Sequence, residues 1–374
     1  MMETTKIELP FTAKKAVLAL GTQTKNTVCF LKGRWAYISA ARRDVDSPEE
    51  YADFTKSVRY FLTKKPRVIA HDLHPEYVST KYALTLQPPG AYALRPVQHH
   101  HAHIASCMAE NGLKNSRVIG VAFDGTGLGT DGTLWGGEFL VCDYKDFRRA
   151  AHLKALPLLG GERAVLEPWR LALTWLSWAY KERLFRVRID FLKGIDKQKW
   201  RVLQNMRLAQ FNTPLSSSMG RLFDAVASIV LVKHKAQHEA ALAMELEKAA
   251  SASLRNAKHY HFEVLTDNDT LILDPLPIFS QIVREIRAKK PPAEIAYAFH
   301  STVAQMIRRI CLVLAAKAKT KTVVLSGGVF QNSLLLRLSS EVLCKEGFRV
   351  ITHRLLSAND SGVSLGQAAV ASFS

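Results

Sequence analysis

One arrangement occurs twice in this chain of 374 residues, and it limits the fold more than any single motif. The first copy runs from strand "AVLALG" (16–21) through a polar turn "TQTKN" to strand "TVCFL" (27–31), a Lys-Gly turn and strand "WAYIS" (35–39). A helix follows over "SPEEYADFTKSVRYFLTKK", with Ser47 as N-cap, Pro48 at its first position and apolar residues at helical spacing, and it leads to a buried strand "RVIAHD". The second copy runs through "RVIGVAFDG" (117–125), the turn "TGLGTDG", strands "TLWGGEFLVC" and "FRRAAHLKAL", and helical "EPWRLALTWLSWAY". Two copies of strand, turn, strand, strand and helix imply a gene-duplicated α/β protein. Its halves should face each other across a cleft, with the polar turns after each first strand pointing into it.

The boundary is expected near Lys114, giving a first half over 15–114 and a second over 115–374. The second half contains a mainly helical insert at about 197–318, interrupted by a hairpin at 260–274 that turns at Asn268-Asp269. The chain closes with strand "KTVVLS", the turn "GGVFQN", a helix to about Lys345, strand "FRVITH" and a last helix from about Ser361. A mixed sheet covered by helices is the expected outcome.

Hydrophobic residues make up 48% of the chain and charged ones 22%, which excludes extended disorder or a fibrous repeat. The start lacks the basic-then-apolar pattern of a secretion signal, and no uncharged apolar run reaches the ~18 residues of a membrane span. A cytosolic protein without a membrane partner is expected. The five cysteines form no C-x-x-C pair and fit reduced, mostly buried thiols. A net charge of +18 is spread through "KKAVLALGTQTKN", "RNAKHYH", "REIRAKK" and "AAKAKTKT". It suits a polyanion such as tRNA or an acidic protein, or simply a well-solvated surface.

The stretch "VQHHHAHIASCMAENG" places four histidines within five positions. If it opens a helix, His99 and His103 stand at i and i+4 on one face, close enough to converge on one metal ion, while His100 and His101 point elsewhere. A helix start that only caps and solvates is the alternative. Asp124 at the end of "GVAFD" and Asp360 in "SANDSGVSLG" occupy strand-to-turn positions that open into a cleft, and each could complete the set. Two imidazoles with one or two carboxylates would leave open positions on a divalent ion.

Three turns have the character of a phosphate cradle. In "LGTQTKNT", Lys25, Asn26 and Thr27 offer donors after Gly21; "FDGTGLGTDG" supplies Gly125, Thr126 and Gly127; "VVLSGGVFQN" carries Gly327 and Gly328 into a helix near Asn332. "SSSMGRLFDAVASIV" adds Gly220, Arg221 and Asp224. A Gly-Gly pair after a strand can equally be a tight turn, but the order of these loops matches a nucleotide lying in the cleft of a duplicated fold.

These segments, together with "AHDLHPEYVSTKYA", "EPWRLAL" and "FHSTVAQ", resemble in order the C-terminal half of the hydrogenase maturation carbamoyltransferases of the HypF family, over about residues 15–373. The resemblance implies the duplicated actin-like ATPase fold (the ASKHA class, ribonuclease H-like), shared with tRNA threonylcarbamoyltransferases of the TsaD type and antibiotic O-carbamoyltransferases. It implies transfer of the carbamoyl group of an ATP-derived carbamoyl adenylate to the C-terminal cysteine of a HypE-like partner. It also implies His99, His103 and Asp360, with Asp124, as ligands of a divalent metal, iron or zinc foremost. Residues 124–127 with Gly220, Asp224 and Asn332 would hold the nucleotide or its carbamoyl group. His100 and His101 remain for substrate contacts or proton transfer, with His101 the catalytic candidate.

The acylphosphatase, zinc-finger and YrdC-like regions of that family are absent, so the adenylate is expected from a separate YrdC-like domain or subunit. "GTQTKNT", "AARRDVDS" and "ANDSGVS" depart from the family pattern and bear on the identity of the acceptor. Transfer of a carbamoyl or threonylcarbamoyl group to tRNA or to a small hydroxyl acceptor comes second to a protein acceptor, since "HHHAH" differs from the His-x-Glu-Gly-His of the tRNA enzymes. A nucleotide-binding scaffold without turnover is the non-enzymatic alternative.

Overall fold

The computed structural model describes residues 3–86, 92–253 and 258–373; Arg255 of the basic stretch "RNAKHYH" lies outside them. The first sheet is built from β1 (Thr4–Ala19), β2 (Cys29–Ser39), β3 (Val68–Asp72) and β4 (Ala93–Val97), in the order β2-β1-β3-β4. Strands β1 and β2 are antiparallel, whereas β3 runs parallel to both β1 and β4. Helices α1 (Pro48–Leu62) and α2 (Val78–Thr85) connect them, and α3 (His99–Glu110) follows β4.

"WAYIS" is not a third strand but the far end of β2, which pairs along its length with a β1 that begins at Thr4. The Lys32-Gly33 pair does not turn the chain. Gly33 takes φ +61° opposite Ala13, where the register shifts, so a glycine that looked like a turn is a β-bulge. Helix α1 starts as its cap residues require: the Ser47 side chain accepts from the Glu50 amide, with Pro48 at the first position.

The second half begins with β5 (Val118–Leu128), β6 (Leu134–Cys142), β7 (Phe147–Leu153) and the short β8 (Leu156–Pro157), followed by α4 (Trp169–Tyr180). A short β9 (Leu215–Ser216) precedes α5 (Met219–Val230). The hairpin β10 (Glu263–Asp267) and β11 (Thr270–Asp274) turns at Asn268 and Asp269, both at positive φ, as the sequence led one to expect. Then come α6 (Pro292–Ala318), β12 (Thr322–Ser326), α7 (Ser333–Lys345), β13 (Arg349–Ile351) and α8 (Val363–Ser372). The main path of this sheet is β10-β11-β7-β6-β5-β12-β13, with β5, β12 and β13 parallel to one another.

The strands alternate in burial and so stack the molecule in layers. Leu18, Leu20 and Ile69 face α1 and α2 with Phe54 and Phe61, while Val17, Ala19 and Ala70 face the opposite way, toward Ile104 of α3 and Leu365 of α8. Ala122 and Val324 of the second sheet meet that same pair of helices from the other side, and Val121 and Phe123 face a separate core with Leu171, Phe223 and Phe299. Each buried Phe or Leu contributes roughly 1.5–3 kcal/mol. Helices α3 and α8 therefore lie between the two sheets. They cross backbone to backbone, because any side chain at Gly366 would run into the Ala102 carbonyl.

Four cysteines are buried and Cys344 is exposed, all unpaired. Among the described residues no helix is long and apolar enough to cross a membrane.

Candidate metal and nucleotide site

Helix α3 opens at His99 because the Gln98 side chain caps it, its Oε1 accepting from the His101 amide at 2.9 Å. His99 and His103 then fall on one face, one turn apart, with ring centroids 4.9 Å from each other. Both are almost wholly buried, against the hydration a helix start would give them. Asp124 comes from β5 and Asp360 from the turn before α8. The His103 Nε2 lies 2.9 Å from Asp124 Oδ2 and 3.6 Å from Asp360 Oδ1; His99 Nε2 lies 3.4 Å and 3.8 Å from the same atoms. One ligand atom from each residue falls within 4.8 Å of all the others.

Ligands about 2.1 Å from a tetrahedral ion stand roughly 3.4 Å apart, so these separations fit one cation with little movement. A further observation supports the fit. His103 Nε2 is buried, yet no acceptor meets it in hydrogen-bond geometry, although Asp124 Oδ2 is 2.9 Å away. Burial by itself would raise the Asp124 carboxyl, but His103 and His99 hold it well below the usual carboxylate range. Burial would likewise lower His99, but Asp72, Asp124 and Asp360 hold it well above the ordinary imidazole value.

Asp124 does not end its strand, as the sequence suggested. Strand β5 continues to Leu128, and the register shifts between Phe123 and Gly127, so the carboxylate is presented on an irregularity within the strand. Its Oδ1 accepts from the amides of Gly125 and Gly328 at 2.8 and 3.2 Å, which leaves Oδ2 for the histidines. The glycine turns meet around this residue. A Cβ on Gly220 would touch Gly125 Cα at 3.1 Å, one on Gly327 (φ +102°) would run into the Phe123 carbonyl, and one on Gly127 would lie 2.7 Å from the His100 ring. Thr126 is half-buried between them. Ser218 caps α5, accepting from the Arg221 amide and donating to the Asp124 carbonyl, so the N-terminus of that helix abuts the same turn.

Arg221 and Asp224 are buried beside Gly125. Arg221 Nη2 bonds Glu239 at 2.9 Å and Nη1 lies 3.3 Å from Asp224 Oδ2 as a buried ion pair outside hydrogen-bond geometry, while Arg221 Nε has no hydrogen-bond partner. Burial pushes the Asp224 carboxyl up to about 6, against the pull of Arg221.

The remaining sequence candidates are placed differently. Asn26 holds its own turn through the carbonyls of Leu20 and Thr22, Thr27 Oγ1 bonds the Ser361 carbonyl, and Lys25 is exposed at φ +49°. Asn332 caps α7 through the Leu335 amide and bonds His300 through Nδ2. His101 is not brought to the cluster: its Nε2 donates to the Asp143 carbonyl between β6 and β7, and its ring packs on Phe147. His100 meets Gln98 through Nδ1 and leaves Nε2 without a partner.

Several residues near the site went unassigned from sequence. Asp72, at the end of β3, bonds His99 Nδ1 through Oδ2 at 2.9 Å and receives the His74 amide on Oδ1. His74 stacks on Tyr77 at 4.3 Å between centroids, and burial together with Asp72, Asp360 and Asp124 holds the Tyr77 phenol well above its usual value.

Comparisons with known proteins place the chain in a family. Residues 12–110 match the model of the HypF Kae1-like domain, and residues 120–367 match that of the carbamoyltransferase Kae1-like domain, second subdomain. Carbamoyltransferase HypF2 of Cupriavidus necator is 35% identical over 95% of this chain and 46% of its own length. A carbamoyltransferase HypF homolog of the same organism is 35% identical over 95% of this chain and 91% of its own. A solved full-length HypF in a phosphate- and nucleotide-bound form superposes with a TM-score of 0.90 at 38% identity, covering 98% of this chain and 56% of that one. The chain spans about half the length of the first curated relatives it matches. Its fold is the duplicated actin-like α/β fold of those proteins, and the chain belongs to the HypF family, corresponding to its Kae1-like carbamoyltransferase domain.

Proposed function

We propose that this chain is a metal-dependent carbamoyl-transferring domain of nickel-iron hydrogenase maturation. It would receive carbamoyl adenylate from a YrdC-like domain or subunit and pass the carbamoyl group to the C-terminal cysteine of a HypE-like partner, in a cytosolic setting. The observation that carries this reading is the convergence of two imidazoles and two carboxylates on one point, beside the glycine turns that meet at Asp124. The phosphate- and nucleotide-bound form named for the solved HypF relative supports a nucleotide in the cleft.

His99, His103, Asp124 and Asp360 would hold a divalent ion, and iron or zinc suits two imidazoles with two carboxylates. When bound, such an ion supplies charge neutralisation on the adenylate phosphate and polarisation of the carbamoyl carbonyl. The protein's own groups do the rest. Asp72 turns the His99 ring so that Nε2 faces the cleft. The glycine turn at 125–127 and the N-terminus of α5 would face the phosphate, while Arg221, with its unpartnered Nε, and its ion-pair partner Asp224 would face the nucleotide. The partner's thiolate attacks the carbamoyl carbon, a carbon–sulfur bond forms, and the carbon–oxygen bond to AMP breaks with its electron pair leaving on the phosphate. AMP is a good leaving group, so orientation and charge neutralisation matter more than acid assistance.

The test is incubation of the metal-loaded protein with synthetic carbamoyl adenylate and a HypE-like protein. A mass gain of one carbamoyl group on the partner's C-terminal cysteine is expected; no gain would overturn the reading. The net charge of +18 favours one second reading, in which tRNA is the acceptor. Steeply salt-dependent tRNA binding would support it.

A further inference from the structure

We infer that Glu110 is a positioning residue for the cation site, bracing α3, which carries His99 and His103, to the turn that carries Asp360 and, through His353, to the end of β12, whose Gly328 amide orients Asp124; this rests on the metal-binding reading above. Glu110 sits in the last turn of α3, beyond His99 and His103, and its side chain is 0% exposed. A buried carboxylate must be fully satisfied, and this one is. Its Oε1 accepts from the Arg354 amide at 2.9 Å, and its Oε2 accepts from Leu355 and Leu356 at 3.3 and 2.8 Å. Its Oε1 also lies 2.9 Å from His353 Nδ1. The other ring nitrogen of His353 meets Ser326 Oγ at 2.8 Å.

Each of these partners belongs to a segment that delivers a ligand or orients one. Residues 353–356 begin the turn that ends in Asp360. Ser326 closes β12 immediately before Gly327 and Gly328, and the Gly328 amide is one of the two that orient Asp124. Helix α3 itself carries both imidazoles. Asn111, next in sequence, adds a second tie between α3 and this turn through the Thr352 carbonyl at 2.9 Å. The cluster of Cys107, Glu110 and His353 also has atoms close enough for a metal ion. Both oxygens of Glu110 are already taken by backbone amides and His353 Nε2 by Ser326, which leaves only His353 Nδ1, 2.9 Å from Oε1 but outside hydrogen-bond geometry, so the cluster serves as a brace rather than a second cation site.

The test is calorimetric titration of the intact chain with Zn²⁺ alone, in wild type, Glu110→Ala, Glu110→Gln, Asp360→Ala and the double variant Glu110→Ala/Asp360→Ala, with thermal melts confirming folding. Partners of this kind typically change metal affinity by roughly 10–100-fold. Glu110→Ala is therefore expected to weaken binding by about that factor, and Glu110→Gln, which keeps one acceptor oxygen, by less. Because the brace acts largely through Asp360, the double variant should bind nearly as well as Asp360→Ala alone, whereas purely additive losses would overturn the inference. Unchanged affinity in folded Glu110→Ala would overturn it too, and if that variant does not fold, unchanged affinity in Glu110→Gln decides the matter the same way. A second bound ion that is lost on Cys107→Ala would replace the brace with a metal site. A wild type that binds no ion refutes the metal reading itself, which separates the two failures.

Discussion

Asp72 and His99, from the first sheet and from the helix between the sheets, are joined by a 2.9 Å hydrogen bond between Oδ2 and Nδ1. Both side chains are fully buried. The bond fixes which nitrogen of His99 is turned to the carboxylates of the second half, so a residue of one half sets the orientation of a ligand that faces the other.

Asp72→Asn should therefore weaken divalent-ion binding by roughly 10–100-fold while leaving the fold intact. Calorimetric titration with zinc measures it, with a thermal melt as control. Equal affinity in the two proteins would mean that the ring needs no such anchor.

Gly127→Ala acts on the same rings from the other side. The added Cβ would lie 2.7 Å from His100 Cε1 and 2.8 Å from His99 Cδ2, in a buried position with no slack. A stability loss of roughly 1–3 kcal/mol is expected from overpacking, together with weaker ion binding. Denaturant unfolding and metal titration read the two effects separately.

Asp224 gives a pH signature. Burial raises its carboxyl to about 6, so in the folded state it keeps its proton where the unfolded chain, near the ordinary value of about 3.9, has lost it. The native state then binds more protons between those values, and stability falls as pH rises from about 4 to 6, by about 3 kcal/mol for this group. Asp224→Asn removes that contribution. Unfolding measured across this window should show a flatter profile in the variant, and parallel profiles would contradict the assignment.

The helical spacing of His99 and His103 was legible in the sequence because it is a local pattern with a fixed direction, whereas Asp124, read as a strand end, sits on an irregularity within β5. Periodicity also marked α1, with Ser47 as its cap, and the hairpin that turns at Asn268-Asp269. It failed where a local pattern has two physical solutions: Lys32-Gly33 reads as a turn, and only pairing with Ala13 makes it a bulge within β2. It failed again for His101, since helical phase says which way a side chain points but not that the Asp143 carbonyl waits there. Asp72, Glu110 and His353 were out of reach for another reason. Their partners lie 27 to 246 residues away, and nothing in the intervening chain marks the pairing.

The central claim is that both imidazoles and the carboxylates hold a single cation, and X-ray absorption at the zinc edge of the zinc-loaded protein tests it most directly. The account predicts one ion per chain with two imidazole nitrogens and carboxylate oxygens at about 2.0–2.2 Å, and one imidazole fewer in His103→Ala. A stoichiometric ion whose spectrum is unchanged when His99 and His103 are both replaced by alanine would contradict it.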